Sequence, residues 1–501
     1  MYHEQIIGGR SGREGAPIVY QGVDGSTVIL QGSVPVRDWR KDGVLWVRRG
    51  LRPITDENAF VMVDEKVMLK RQASRDHLAP GSFHLDRDGA YTIRLADDAD
   101  PNTGRRVEVY ELDFAFNSGA RWGGTAKKWI VIQNMTIEKY GAFGISTDAG
   151  HPADNSHWEL DRLTVRYNNN EGVFHCLDDW YVHDCEFIRN RGHGCQLDGA
   201  RVIFTGNVCS ENEWFGPYAD GGCGVLIGPD ETAHSCIVRN NVFENNGAPD
   251  GFGCAVYLEG RSHDNVVEKN HIRGGTAAGI GLFGSLRNRI VNNVLVDIAS
   301  SREWDEAAAF VVAHSLAGPP TQAVGNLVAH NTVWKCAAPL FVKPPAEPLK
   351  EENLNRFVNN LFVECKRLSP APKRDSLPAV ILDANAFCSC PDASTGSHRI
   401  VVDWWDAIVS VPVPGTTIVI CADPRFQNPS AGDFRLKPDS GLIELGAPVH
   451  EVTEDADGRP RPQGRGYDIG AYELHGDRTL PEGDTRMYVI PEARPRPEGA
   501  R

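Results

Sequence analysis

Apolar residues in this chain come in short runs, each closed by a polar turn residue. An Asn or Asp that introduces an apolar run recurs at Asn134–Ile137, Asp161–Leu163, Asp184–Phe187, Asn207–Val208 and Asn241–Phe243. The unit continues at Asn270–Ile272, Asn293–Leu295, Asn331–Val333 and Asn360–Phe362. Successive units begin 27, 23, 23, 34, 29, 23, 38 and 29 residues apart. That spacing is too long for an array of hairpins, and the units lack helical periodicity. A second strand-like element, opened by Gly or Ala, appears at Gly144–Asp148, Gly172–Cys176, Gly194–Asp198, Gly224–Gly228, Ala255–Glu259 and Gly279–Phe283. The pattern predicts an all-β solenoid, a right-handed parallel β-helix with two or three short strands per coil. Coils stacked at about 4.8 Å build parallel sheets around a continuous apolar interior. The recurring Asn is expected at a corner, in left-handed geometry, with its amide bonded to the Asn of the next coil. A β-sandwich would need long alternating strands and hairpin turns, and few Asn-Gly or Asp-Gly signals separate such strands here.

The repeat also sets the expected organisation. Residues 1–33 read as first coils, with strands in Ala16–Tyr20 and Thr27–Leu30. Residues 34–120 lose the Asn unit and carry Val44–Val47, Phe60–Val63, Tyr91–Leu95 and Val107–Tyr110, which predicts an inserted antiparallel β domain. Residues 121–365 form the main helix. Residues 366–474 add C-terminal coils and a cap, with 366–420 reading as irregular. Residues 475–501 are polar and Pro-rich and are expected to be partly disordered.

Asn240–Gly247 and Gly12–Tyr20 resemble the repeat and first coils of the pectate-lyase-like superfamily of bacterial right-handed β-helix proteins. The resemblance spans roughly residues 1–475. An insertion between early and central coils is similar to that of several glycoside hydrolases, β-xylosidase-like members included. Ala422–Phe426, Gly432–Leu436 and Tyr467–Glu473 resemble a segment common near the end of secreted members. The resemblance implies a carbohydrate-active enzyme in an extracellular or periplasmic setting. Met1–Gly9 departs from the family pattern, with no basic n-region and no apolar h-region, so a cytoplasmic setting stays open.

Composition narrows the partners. The 501 residues are 41% hydrophobic, enough for a large core, and 51 Gly with 31 Pro favour frequent turns. A net charge of −15 argues against a nucleic-acid partner and does not help a polyanionic substrate bind. No apolar run reaches the roughly 18 residues of a membrane span. Twelve cysteines are present; Cys195, Cys223 and Cys254 lie within strand-like runs and are expected as buried free thiols. Cys388-Ser389-Cys390 is a weak metal signal, since no second pair sits at zinc-site spacing.

Strand alternation locates the candidate chemistry. Val256 and Leu258 should point inward and Tyr257 and Glu259 outward; the same register turns out Gln196, Asp198, Ser146 and Asp148. Asp198 and Glu259 then stand two coils apart, about 9–10 Å, near the upper end of the inverting-pair range of about 6.5–9.5 Å. Long loops place Asp220 and Asp250 shortly before the same strands, and they should project over the same wall. Trp214 and Tyr218 could stack on sugar rings, and His193 holds an equivalent place one coil earlier. The expected catalytic residues are Asp198, Asp220, Asp250 and Glu259. The expected substrate contacts are His193, Gln196, Trp214, Tyr218 and Tyr257, with no metal ligand. Gly192-His193-Gly194 and Asp178-Asp179 resemble polygalacturonase-like motifs, but the acid pair follows its strand, and the register fails.

These residues suit a glycoside hydrolase acting on a polysaccharide or oligosaccharide, one acid protonating the leaving oxygen and another activating water. A polysaccharide lyase or uronate epimerase is the alternative. It wants a Lys or Arg base, and Lys269, Arg273 and Arg239 fall on other strands or turns. A non-catalytic carbohydrate-binding surface protein is the third reading. No cofactor is required. Asp455–Gly458 could take Ca²⁺, but it lacks the later Glu of a full loop and reads as a plain turn. Oligomeric state is left open.

Overall fold

The computed structural model describes residues 1–7, 9–51, 58–65, 67–119, 123–147, 152–213, 221–229, 231–248, 251–299, 307–316, 321–343, 345, 347, 349–366, 379–390, 417–474, 476 and 488–491. A central coil holds three short strands, as in Cys195–Leu197, Ile203–Thr205 and Val208–Ser210. Each pairs in parallel with its counterpart one coil on: Val225–Ile227, Ile237–Arg239 and Val242–Glu244. The first strands of the coils form a ten-stranded sheet that runs from Ile6–Ile7 to Leu340–Val342. The remaining strands form a 22-stranded ribbon with two strands per coil. Alternate side chains meet inside: Cys195, Val225, Val256, Ile280 and Phe310 from the first sheet, with Phe204, Phe243, Ile272 and Leu295 from the ribbon. Burying a Phe or Leu this completely is worth about 1.5–3 kcal/mol, so a single coil holds little alone and the stack holds together.

Asparagine ladders fix the corners. One runs Asn207–Asn241–Asn270–Asn293–Asn331–Asn360–Asn385 with amide contacts of 2.9–3.2 Å. Others link Asn168 to Asn246 and Asn265 to Asn355. The expected amide stacking is present; Asn134 and Asp184 are left-handed as expected, at φ of 56° and 54°, but along the ladder the left-handed position is displaced by one. Lys269, Asn292, His330 and Asn359 have φ of 54–57°, whereas the ladder residues that follow them are absent from the positive-φ set. The ladder side chain has to lie within the stack: Asn270 Nδ2 donates to Asn293 Oδ1 at 3.0 Å and to the Val238 carbonyl at 2.9 Å. The sharp turn therefore falls to its predecessor.

Ile18–Gln21 and Ile29–Gln31 pair in parallel with Ile130–Gln133 and Thr136–Glu138, so the chain's start is a true coil. The insertion has a five-stranded and a four-stranded sheet, largely antiparallel, around Trp46, Val61, Phe83, Ile93 and Val109. It ends earlier than the sequence suggests: Phe114–Asn117 already pairs with Ile6–Ile7 and Phe143–Ser146 in the first sheet. Within 366–420, Val380–Asp383, Asn385–Cys388 and Thr417–Cys421 extend the coils. In the polar tail, Tyr488–Pro491 pairs antiparallel with Thr417–Cys421. Ten cysteines are buried and free, as expected for strand-borne thiols; Cys388 is instead disulfide-bonded to Cys421, which answers the metal signal there. No described helix is long and apolar enough to cross a membrane.

Candidate functional site

The outer face of the first sheet gathers the sequence-predicted residues that are described. Gln196, Leu226 and Tyr257 are in register, and Leu197, Ile227 and Leu258 follow them. Asp198, just after its strand, and Glu259, at the end of its own, therefore stand two coils apart on one wall. All four polar residues point outward as alternation requires, yet none is solvated: Gln196, Asp198, Tyr257 and Glu259 are 7, 6, 2 and 6% exposed. The wall around them is apolar, built from Leu226, Ala278, Phe283, Ala308, Val311 and Phe341. Phe252 stands edge-on to Tyr257 at 5.5 Å and to Phe283 at 5.4 Å. Asp148, Trp214, Tyr218, Asp220 and Asp250 lie outside the described residues.

Asp198 is tightly held. Gln196 Nε2 donates to its two oxygens at 3.1 and 3.0 Å, and His175 Nδ1 meets Oδ2. His175 gets there through a bulge. Val173 pairs with Cys195, but Cys176 pairs with Leu197, so Val173–Cys176 carries one extra residue. His175, with φ of 63°, is turned onto the outer wall. Strict alternation assigns it inward, and the sequence reading missed it. Glu259 is hydrogen-bonded by Tyr257, whose hydroxyl is held well above its usual range, first by burial and then by the Glu259 charge.

A second row precedes the strands. Glu171, His193, Cys223 and Cys254 occupy one position in consecutive coils, tied by Gly172 N to His193 O at 2.9 Å, Gly194 N to Cys223 O at 2.9 Å and Gly224 N to Cys254 O at 3.0 Å. His193 is buried, and its Nδ1 accepts the Cys223 amide at 3.1 Å. Burial opposes ionisation of Cys223, but hydrogen bonds from Cys254 and His193 outweigh it and bring the thiol down to about 5. Cys254 is pushed up by burial and by the Cys223 anion. Both thiols are legible in the sequence as buried cysteines; nothing in the spacing marks the contact of Cys223 with His193. Glu213 is fully buried nearby, with Oε2 accepting the Ala248 amide at 2.9 Å.

A cleft of about 510 Å³ opens at the corners that lead into this sheet, lined by Glu211, Asn245, Ala248, Arg273, Thr276 and Asp297 among others. That volume is in the range of small-molecule sites, about 300–1,000 Å³. Arg273 ends the ribbon strand His271–Arg273, as its place in the sequence suggests, but it borders the cleft. Asp178 and Asp179 instead pair with Arg201 at 3.4 and 2.6 Å. In the C-terminal segment, Asp455 Oδ1 accepts the Asp457 and Arg459 amides at 2.9 and 2.8 Å, and Oδ2 accepts that of Glu473 at 3.0 Å.

A family model described as a right handed beta helix region matches residues 102–342. The chain has the right-handed parallel β-helix fold. No protein of curated function matches it by sequence. XylC, solved in complex with xylose, aligns with 98% of this β-helix and 93% of its own chain at 11% identity, with a TM-score of 0.57. Pectate lyase Pel9A aligns with 73% of this chain and 83% of its own at 12% identity, TM-score 0.43. The A-module of Azotobacter vinelandii mannuronan C-5 epimerase AlgE4 aligns with 55% and 63% at 13% identity, TM-score 0.35. At 11% identity, XylC shares its fold with the chain and no more.

Proposed function

We propose that this β-helix is a carbohydrate-active enzyme, a glycoside hydrolase whose acid–base pair is Asp198 and Glu259. The observation that carries the reading is their shared outer wall: two carboxylates, two coils apart, each held by neighbouring polar side chains amid apolar ones. One carboxyl of the pair, Glu259 beside Tyr257 and Phe283 or Asp198 held by Gln196 and His175, gives a proton to the leaving glycosidic oxygen, and the other takes one from the attacking water. Two coil spacings, about 9–10 Å, leave room for that water and suit inversion. The cleft at the corners leading into the sheet is large enough for a sugar, and the fold likeness to a protein that binds xylose agrees with a sugar ligand. Asp220 and Asp250 remain expected contributors, and Trp214 and Tyr218 remain expected sugar contacts. Arg273 in the cleft favours a second reading, a lyase or epimerase acting on an acidic sugar, because a guanidinium pairs well with a carboxylate.

Digestion of a glycan panel, read by mass and ultraviolet absorbance, tests both. The expected product is a saturated sugar, and Asp198→Asn and Glu259→Gln each slow its release by about 10²–10⁴-fold with thermal unfolding little changed. Full turnover in both variants would remove the pair from the mechanism. An unsaturated, absorbing product would establish the lyase instead, and binding without product would make the protein a non-catalytic binder.

A further inference from the structure

Another cluster stands on the ribbon, away from the first sheet. Glu159 and Asp161 are alternate residues of Trp158–Arg166 and share its outer face. His183, on the next coil, is in register with Asp161. We propose that Glu159, Asp161 and His183 bind a divalent first-row transition metal ion. One ligand atom from each lies within 4.8 Å of the others. Metal–ligand distances of about 2.0–2.2 Å place ligands roughly 3–4 Å apart, so closure takes only side-chain rotation. Glu159, with 42% of its side chain exposed, is free to make it.

Three further features point to an ion. Asp161 is only 4% exposed; its Oδ1 has no hydrogen-bond donor, with His183 Nδ1 standing 3.6 Å away, while Oδ2 is paired with Arg162 at 2.6 Å. A buried carboxylate oxygen with no donor is costly, and a cation at this spot would satisfy it. The His183 ring is also oriented as a ligand: Nε2 lies 3.3 Å from Glu159 Oε1, and Nδ1 lies 2.9 Å from Asp184 Oδ2. A carboxylate on the second nitrogen fixes the ring of a metal-binding histidine and raises its basicity. Tyr181 stacks on that ring at 4.2 Å. The charge balance fits as well. Glu159, Asp161 and Asp184 against Arg162 leave two carboxylate charges at the cluster, which a divalent ion cancels. One imidazole with two carboxylates suits zinc, cobalt or nickel better than calcium or magnesium, which prefer all-oxygen shells.

The test uses the full chain, stripped with chelator and titrated with Zn²⁺ by calorimetry and with Co²⁺ by visible absorption. A saturable site is expected whose Co²⁺ spectrum lacks a thiolate charge-transfer band, which separates it from the buried cysteines. His183→Ala and Asp161→Asn should each weaken binding at least tenfold. Glu159→Gln, at an exposed position, repeats the test without disturbing buried Asp161. Overturning results are no saturable binding, a thiolate band, or unchanged affinity in His183→Ala and Glu159→Gln.

Discussion

A thiol with no surface in water is ordinarily neutral near pH 7, because burial penalises the anion. Cys236 and Cys336 follow that rule and are pushed up to about 12. Cys223 is buried just as deeply, but donors from Cys254 and His193 converge on its sulfur and bring it to about 5. It is therefore expected as a thiolate at neutral pH, stacked one coil beyond His193. Ultraviolet thiolate absorption should vanish as pH falls through about 5 and be missing in Cys223→Ser. Loss of that absorption between pH 8 and 9 instead would defeat the assignment. The stability sign follows. A folded value below the unfolded one gives stabilisation that is full above about pH 9 and lost as pH falls towards 5. Denaturant midpoints of the parent should fall over that window relative to Cys223→Ser.

Among the elements, the insertion is anchored to the helix by a buried ionic group. Lys139, 1% exposed, follows the long strand Ile130–Glu138 and contacts Glu108 of the insertion at 2.9 Å and Glu138 at 3.5 Å. Gln31 and Ser33 complete the group by donating to Glu108 at 2.8 and 3.2 Å. Lys139→Met should cost about 3–5 kcal/mol, because it removes the one buried cation shared by Glu108 and Glu138 and leaves them only the partly exposed Arg106 and Arg166. Adding Glu108→Gln should recover part of that loss. Urea unfolding of the two variants checks it, and additive losses would show that the charges do not interact.

The elements also show what the sequence could and could not convey. The coils were legible because each Asn ladder needs Asn at the same corner, and Asn207, Asn241, Asn270, Asn293, Asn331 and Asn360 all supply it. Phe114–Asn117 reads as part of the insertion because its coil has no ladder Asn, and only pairing with Ile6–Ile7 reveals its place. At the site, alternation gave the direction of Gln196, Asp198, Tyr257 and Glu259. Their burial depends on Phe252 and the rest of the apolar wall, which sequence periodicity does not report. His175 was hidden because a single bulge residue reverses the direction of a side chain.

A solenoid leaves its outer faces to be covered, and the chain does this on the ribbon with its own C-terminal segment. Leu442, Ile443, Ile469, Ala471 and Tyr472 pack over Val294, Leu361, Val363 and Ala386. Arg461, buried beside Glu473, pins the segment by donating to Asn292 Oδ1 at 3.2 Å and the Gly470 carbonyl at 2.8 Å. Asp468 receives the Glu444 and Leu474 amides at 2.8 and 2.7 Å, yet burial and the Glu473 charge push its carboxyl up to about 6. Its folded value exceeds the unfolded one, so its stabilisation is full below about pH 4 and is lost as pH rises through 6. This slope is opposite to that of Cys223, and each variant should cancel only one. Asp468→Asn is expected to flatten the pH 4–6 limb of the thermal-unfolding profile, where the shift is worth on the order of 3 kcal/mol. A constant offset from misplaced amide hydrogens is expected as well, since an Asn side chain would face two backbone donors. Parallel profiles for parent and Asp468→Asn across that window would mean that the covering segment is not held by this carboxyl.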